Sequence, residues 1–532
     1  MAKTPSPTGS NRIRCIEAGS AAEVAVDEVV DLELGERTVG TNPFDTDLRT
    51  TLYGPDDSVI SVPAFYDPRR GHVTRVSLPA SGSWLVEAPA GPDVTTDSTP
   101  WKLTASNRAH DRSHGALSVD PQHPRHFRYA DGTRIFPLGY EVDWLFMIDQ
   151  LDDTLARVRQ FLDSITGTGF NLVTTNVYAH SFRRYVPLDL EGDPRWIVPA
   201  LAPWVGGNDE PNYASLNPAF FDHMDAVMLE LHHRGVIVHL MIHTYNKDVN
   251  WPELASSDDD RYWHYIVARY QAFPNVLWDT AKESWYQEAE YIWSRIGLIR
   301  GHDGYRRLIT VHDANPELQL EPSSRWALEL HSTKKNFTDA LVDVISDQVH
   351  ETDCHDDAVS RYRRFARPYI NVEFGYESGI DDLPSDNPSH DQDWQEVTRR
   401  AWQIIMGGGY PNYYYRNTAW SLFIPFPEPP GYRAFAALAD FWSDVPYWRL
   451  HPADHLLRAD GKVYLRTDRS REYVVYSEHG ATFELDLPDG MFTGTWFDPY
   501  TGERSAAEIA VGPGPTVFEP ERQSATVLRL RA

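Results

Sequence analysis

Two stretches of this sequence run an apolar, strand-like segment straight into a glutamate. PNVLWDTAKESW (274–285) ends on Glu283, and RPYINVEFGYES (367–378) ends on Glu373. A pair of carboxylates facing one another can split a difficult substitution between them. One protonates the departing oxygen, and the other, about 5 Å away, attacks the carbon, as in retaining hydrolysis of a glycosidic bond. A glutamate taken at random is usually a solvated surface group. Two that follow buried strands among Trp and Tyr residues are better placed for chemistry. Asp279 lies on the first of these stretches and stands in reserve as a proton donor.

Such a pair needs a rigid frame. From residue 125 the pattern alternates strands and helices. Strand-like runs occupy 134–142, 170–178, 236–243, 275–281, 307–313, 326–331 and 367–374, and an eighth lies within 407–415. Between the first two, Leu151, Leu155, Val158, Phe161, Leu162 and Ile165 share one helical face. Eight such units over 125–449 predict a (β/α)₈ TIM barrel, an α/β fold whose active site sits at the C-terminal strand ends. A doubly wound open sheet is the rival. No glycine-rich phosphate loop follows the first strand, so a dinucleotide-binding version is disfavoured. Other residues at the barrel mouth are Glu141, Asp143 and Trp144 after the first strand, and Tyr178 and His180 after the second. His243 ends the third strand, His312 the fifth and His331 the sixth, and Tyr376 follows the seventh. A single histidine is more often structural, but four at successive strand ends make some of them pocket members that bond sugar hydroxyls or carboxylates.

Residues 13–124 and 450–532 instead show short alternating strands between turn signals such as Gly54-Pro55-Asp56-Asp57. They predict antiparallel β-sandwich domains on either side of the barrel, after a polar, disordered tail at 1–12. A net charge of −28 excludes the basic footprint that nucleic acid or an anionic membrane requires. Two cysteines, Cys15 and Cys354, give no sign of a disulfide framework, and no apolar leader or membrane-length run occurs, so a cytoplasmic protein is expected. With 17 Trp and 27 Tyr the chain has ample flat faces for stacking on sugar rings. A carbohydrate is the expected partner, with homo-oligomerisation open. Neither HExxH nor paired CxxC occurs, and the polar setting of His350, Cys354 and His355 argues against a metal, so no metal or cofactor is expected.

Taken together, these segments resemble the clan A glycoside hydrolases, in particular apiosidase-like and cellulase-like barrels with an N-terminal β-sandwich and a small C-terminal β-domain. The resemblance spans nearly the whole chain. It rests on Asn42-Pro43-Phe44, Val62-Pro63-Ala64-Phe65-Tyr66-Asp67, FRYADGTRIFPLGYEVDWL (127–145) and the turn Thr495 to Gly502. The resemblance implies Glu283 as general acid/base, after Pro274-Asn275-Val276 and Trp278, and Glu373 in Glu373-Phe374-Gly375 as nucleophile. It implies Trp420 as the aromatic floor of the sugar subsite. Lys282 departs from the family pattern, which has Asn there to bond the sugar 2-hydroxyl. Lys282 is therefore expected to contact substrate or Glu283 and to change sugar specificity. The implied activity is retaining, exo-acting hydrolysis of short oligosaccharides or glycosides. A non-catalytic carbohydrate-binding barrel is the alternative.

Overall fold

The computed structural model describes residues 12–17, 19–36, 41–88, 100–108, 110–180, 195–314, 342–350, 353–379, 391–488, 490–511 and 514–532. Parallel strands at Gly139–Glu141, Leu172–Asn176, Ile237–Thr244, Val276–Lys282, Ile345–Gln348, Tyr369–Glu373 and Tyr410–Tyr414 form one sheet with a strand split at Val311 into Ile309–Thr310 and His312–Ala314. The two halves of the split strand are the two ends of that sheet, one pairing with Val276–Lys282 and the other with Ile345–Gln348. The sheet is thus a TIM-type barrel of eight strands.

Two expectations change in detail. Ile345–Gln348 takes the sixth place in the barrel, and the segment expected there, 326–331 with His331, lies outside the described residues. The run 134–142 is also two elements. Arg134–Ile135 pairs antiparallel with Phe127–Tyr129, which pairs with Leu117–Val119, and only Gly139–Glu141 enters the barrel. This small sheet stoppers the N-terminal end of the barrel. Leu117, Phe127 and Tyr129 pack there against Leu172, Ile237, Leu277, Leu308, Val344, Ile370 and Tyr410, one residue from most barrel strands. Burying a leucine such as Leu277 in this way contributes roughly 2–3 kcal/mol.

The helices around the barrel form where the sequence starts them. Asn217, Ser256 and Asp393 cap Pro218–His233, Ser257–Tyr270 and Trp394–Met406 by accepting from Ala219, Asp259 and Glu396 N–H groups. Each cap satisfies a donor that the first turn cannot use.

Before the barrel lie a four-stranded and a five-stranded sheet sharing one core of Leu32, Leu52, Val62, Val76, Trp84 and Trp101. They are not wholly antiparallel: Arg14–Ile16 runs parallel to Val29–Gly35, and Ala21–Val26 to Trp101–Arg108. This unit docks through a buried ion network. Arg75 donates to Asp31 at 2.8 Å and to both oxygens of Asp225 at 2.8 and 2.7 Å, while Arg269 reaches Asp225 at 2.8 Å. After the barrel come a six-stranded and a three-stranded antiparallel sheet around Leu465, Val475, Leu485 and Leu528. Here Arg466 donates to the Ile405, Tyr447 and Leu450 carbonyls, and Tyr476 stacks on Trp402. Cys15 and Cys354 are free thiols. Among the described residues no helix is long and apolar enough to cross a membrane.

Candidate active site

At the C-terminal end of the barrel, ionisable side chains from several strands converge. Lys282 is buried at the end of the fourth strand, and its ammonium donates to Glu141 Oε1 on the first strand and Glu373 Oε1 on the seventh. It also lies 3.5 Å from Asp143 Oδ1. Lys247 holds Asp143 from the other side at 3.1 Å, and Tyr414 and Asn176 donate to it at 2.8 and 3.0 Å. Asn412 donates to Glu141 Oε2 at 3.2 Å. Tyr376 donates to Glu373 Oε2 at 2.6 Å, and His312 and His350 stand 4.0 and 3.9 Å from the same carboxylate.

Glu373 faces this cluster because of a register slip. Asp347 pairs with Asn371, but Gln348 pairs with Glu373, skipping Val372. Plain alternation from the inward Ile370 would turn Glu373 away; one extra residue restores it to the side of Gln348. Glu283 follows Lys282 in a left-handed conformation, φ 55° and ψ 53°, immediately before the short turn Ser284–Tyr286. That conformation costs a non-glycine residue about 1–2 kcal/mol, and such strain collects at functional sites.

The two glutamates have opposite protonation tendencies. Burial would raise Glu373, but Lys282 most of all, with His312 and His350, holds it at about 2. Among the described residues no cation pairs directly with Glu283. Burial pushes it to about 7, the nearby Glu373 charge adds to the rise, and Lys282 only partly opposes it. Glu141 is raised well above the ordinary carboxylate range, chiefly by burial, despite Lys282. Asp143 is held low against burial by Lys247 and Lys282. Lys282 resists burial and stays firmly charged among Asp143, Glu141 and Glu373. His312, buried beside Lys282, falls to about 4 and is neutral near pH 7.

The structure thus brings together Glu141, Asp143, Lys282, Glu283, His312, Glu373 and Tyr376. Trp420 joins them edge-on to Tyr376, with centroids 5.2 Å apart. Lys282 meets Glu373 and Glu141 directly, whereas Glu283 feels its charge without an ion pair. Asp279, the reserve proton donor, is instead bonded inside the barrel to His239 at 2.6 Å. Other expected pocket residues pack elsewhere. His243 stacks on Trp251 and lies 3.5 Å from Asp259, between the sheet and helix Ser257–Tyr270. Trp144 is buried in the main apolar core. Tyr178 packs against Trp204 and Phe220, its hydroxyl 3.4 Å from His180 Nδ1.

Sequence reasoning did not pick out Lys247, His350, Asn176, Asn412 or Tyr414. The last two had a signal, since Tyr410, Asn412 and Tyr414 alternate along one strand. Lys247, in a loop, had none. The sequence places His350 near Cys354 and His355, but the three diverge: His355 stacks on Tyr464 at 3.9 Å, and Cys354 turns toward the Val349 carbonyl.

A carboxylate cluster at this end of a TIM-type barrel has a match among known families. The model of the apiosidase-like catalytic domain covers residues 121–448. The chain belongs to the apiosidase-like family. It is accordingly a clan A glycoside hydrolase. The matched span begins near the barrel stopper and ends after the last barrel helix, so it includes every site residue named above. Among solved structures, a candidate glycoside hydrolase from Bacteroides vulgatus ATCC 8482 superposes with a TM-score of 0.71 at 19% identity, covering 96% of this chain and 99% of its own. A glycoside hydrolase family 5 protein from the same organism gives 0.59 at 15% identity, over 79% of this chain and 94% of its own. At these identities the likeness is one of fold. No curated protein matches the chain significantly.

Proposed function

We propose that this apiosidase-like protein is a retaining glycosidase in which Glu283 is the general acid/base and Glu373 the nucleophile. The observation that carries the reading is the setting of the two: Glu373 is bonded by Lys282 and Tyr376 and held low as an anion ready to attack, while Glu283, at the end of the fourth strand, is pushed up by burial and keeps a proton to give. In the first step the proton of Glu283 passes to the glycosidic oxygen as the bond from that oxygen to the anomeric carbon breaks. Glu373 forms the new bond to that carbon. Water then displaces Glu373, giving its proton to Glu283. Lys282 and Tyr376 orient the nucleophile and hold its charge. Glu141 and Asp143, anchored by Asn412, Tyr414 and Lys247, offer acceptors for sugar hydroxyls, and Trp420 a flat face.

We read the action as exo, on short glycosides. The segment after the second strand crosses to the loop after the eighth: Ile197 donates to the Ser421 carbonyl at 2.6 Å, and Phe423 to that of Arg195 at 2.9 Å. This strap lies directly beside Trp420 and limits how far a polymer could extend past the sugar subsite. We also read the flanking pairs of sheets as β-sandwiches. The decisive experiment screens nitrophenyl pentofuranosides and hexopyranosides, then follows the first-formed anomer by NMR. Retained configuration supports double displacement, and an inverted product would refute it.

A further inference from the structure

The turn that carries Glu283 also carries two large aromatic side chains that the hydrolytic step leaves unused. Trp285 is half-buried, and Tyr286 is 59% exposed, high for so large an apolar ring. Their rings lie nearly parallel, 29° apart with centroids 5.9 Å from one another. The Trp285 ring also meets the edge of His312 at 5.8 Å, and His312 lies 4.0 Å from Glu373. The pair therefore borders the reacting carboxylates. Tyr286 N–H donates to the Glu283 carbonyl at 3.1 Å, so acid and rings belong to one short turn.

We propose that Trp285 and Tyr286 form the leaving-group subsite, taking an aglycone that presents a flat ring, either a second sugar or an aryl group. The proposal rests on Glu283 being the general acid. A general acid must stand at the bond to the leaving group, so its own turn faces that side. The other aromatic pair, Trp420 and Tyr376, sits beside the nucleophile, where the sugar that becomes attached must lie. On this assignment the two aromatic pairs serve the two sides of the scissile bond. Flat apolar faces suit rings, whose stacking gains contact without much loss of side-chain freedom. A linear alcohol would cover little of either face. His312, which meets the Trp285 ring, is neutral near pH 7 and itself offers an anionic aglycone no charge.

The test uses full-length protein and one glycone, chosen from the nitrophenyl screen, carried on methyl, phenyl and sugar leaving groups. For each, kcat/KM of Trp285→Ala and Tyr286→Ala is divided by the wild-type value. Trp285→Ala is expected to reduce the phenyl or sugar ratio about tenfold further than the methyl ratio, and Tyr286→Ala about threefold further. Selective loss with phenyl alone identifies an aryl aglycone, and with the disaccharide alone a second sugar. Transfer provides an independent reading. A ring-bearing alcohol that attacks the glycosyl–Glu373 ester passes its hydroxyl proton to Glu283 and frees the Glu373 carboxylate. Its yield relative to hydrolysis should fall in both variants. Equal loss across leaving groups, or none, overturns the subsite. Tyr286, being exposed, keeps the test valid if Trp285→Ala folds poorly. Failure of the parent reading looks different: Glu283→Ala would then hydrolyse methyl and phenyl glycosides as the wild type does.

Discussion

The two ends of the same barrel are built from opposite materials. At the N-terminal end the inward residues are Leu172, Ile237, Leu277, Leu308, Val344 and Ile370, closed off by Leu117, Phe127 and Tyr129. One or two positions further along, the inward groups become polar and paired. Thr174 bonds Asn412 at 3.1 Å, His239 bonds Asp279 at 2.6 Å, and Thr310 bonds Ser346 at 2.9 Å. At the C-terminal end they are ionisable: Glu141, Asp143, Lys282 and Glu373 are all buried there. The lesson is a division of labour along the strands. Apolar burial at one end supplies cohesion that tolerates substitution gradually. Buried charge at the other supplies little net stability, because desolvation offsets much of the attraction, but it sets protonation states. The register slip at Val372 and the left-handed Glu283 both lie at the ionisable end, where local strain is held in place by the packed layers beneath.

This contrast can be broken most sharply at Glu373. Glu373→Gln should lower kcat by roughly 10⁴–10⁶-fold for every leaving group, as loss of a nucleophile does. It should also lower the unfolding midpoint in urea at neutral pH, because the ion pair with Lys282 loses one partner, and the difference from wild type should shrink at strongly acidic pH. Glu283→Ala should cost about 10²–10⁴-fold on alkyl glycosides and much less on nitrophenyl ones, which need little protonation. Azide should then yield a glycosyl azide of retained configuration, which NMR of the product would detect.

The pH profile sharpens the same point. A general acid works protonated, so kcat/KM should fall as pH rises through about 7, where Glu283 deprotonates. The nucleophile works ionised, and with Glu373 at about 2 the acid side should stay flat down to strongly acidic pH. Lys282 lowers both groups, so Lys282→Met should move both limbs to higher pH and reduce kcat/KM by about 10- to 100-fold. Unshifted limbs would show that Lys282 only fills space. The smallest effect on activity belongs to the other end. Leu277→Ala should cost about 2–5 kcal/mol of stability, read from urea unfolding, while kcat/KM changes by no more than about threefold. A collapse of activity there would show the two ends to be coupled.

Much of this organisation was legible in the sequence. Strand–helix alternation gave the barrel because each buried strand is a local apolar run, and several helix starts carry their own cap, such as Ser256 or Asp393. The placement of Glu283 and Glu373 followed from the fourth and seventh strands, whose ends are local features too. Misreadings arose where local pattern was ambiguous. Ile345–Gln348 is short and half polar, so the sequence passes it over as a strand, and the hairpin at 127–135 reads as the entry to the barrel.

By itself, then, the sequence determined the element types, the end of the barrel at which carboxylates gather and the family resemblance. Only the tertiary structure decided what those groups meet. Lys282 bonds Glu373 and Glu141 across sequence separations of 91 and 141 residues, and no local period encodes which carboxylate an ammonium will reach. Glu373 faces inward through the pairing register of two neighbouring strands, in which one skipped residue reverses the side. His243 ends an inward-alternating strand yet stacks on Trp251, outside the cluster, because the loop and helix that follow offer its ring an aromatic partner. Each outcome depends on long-range pairing and on burial, which set charge and orientation only once the barrel has closed.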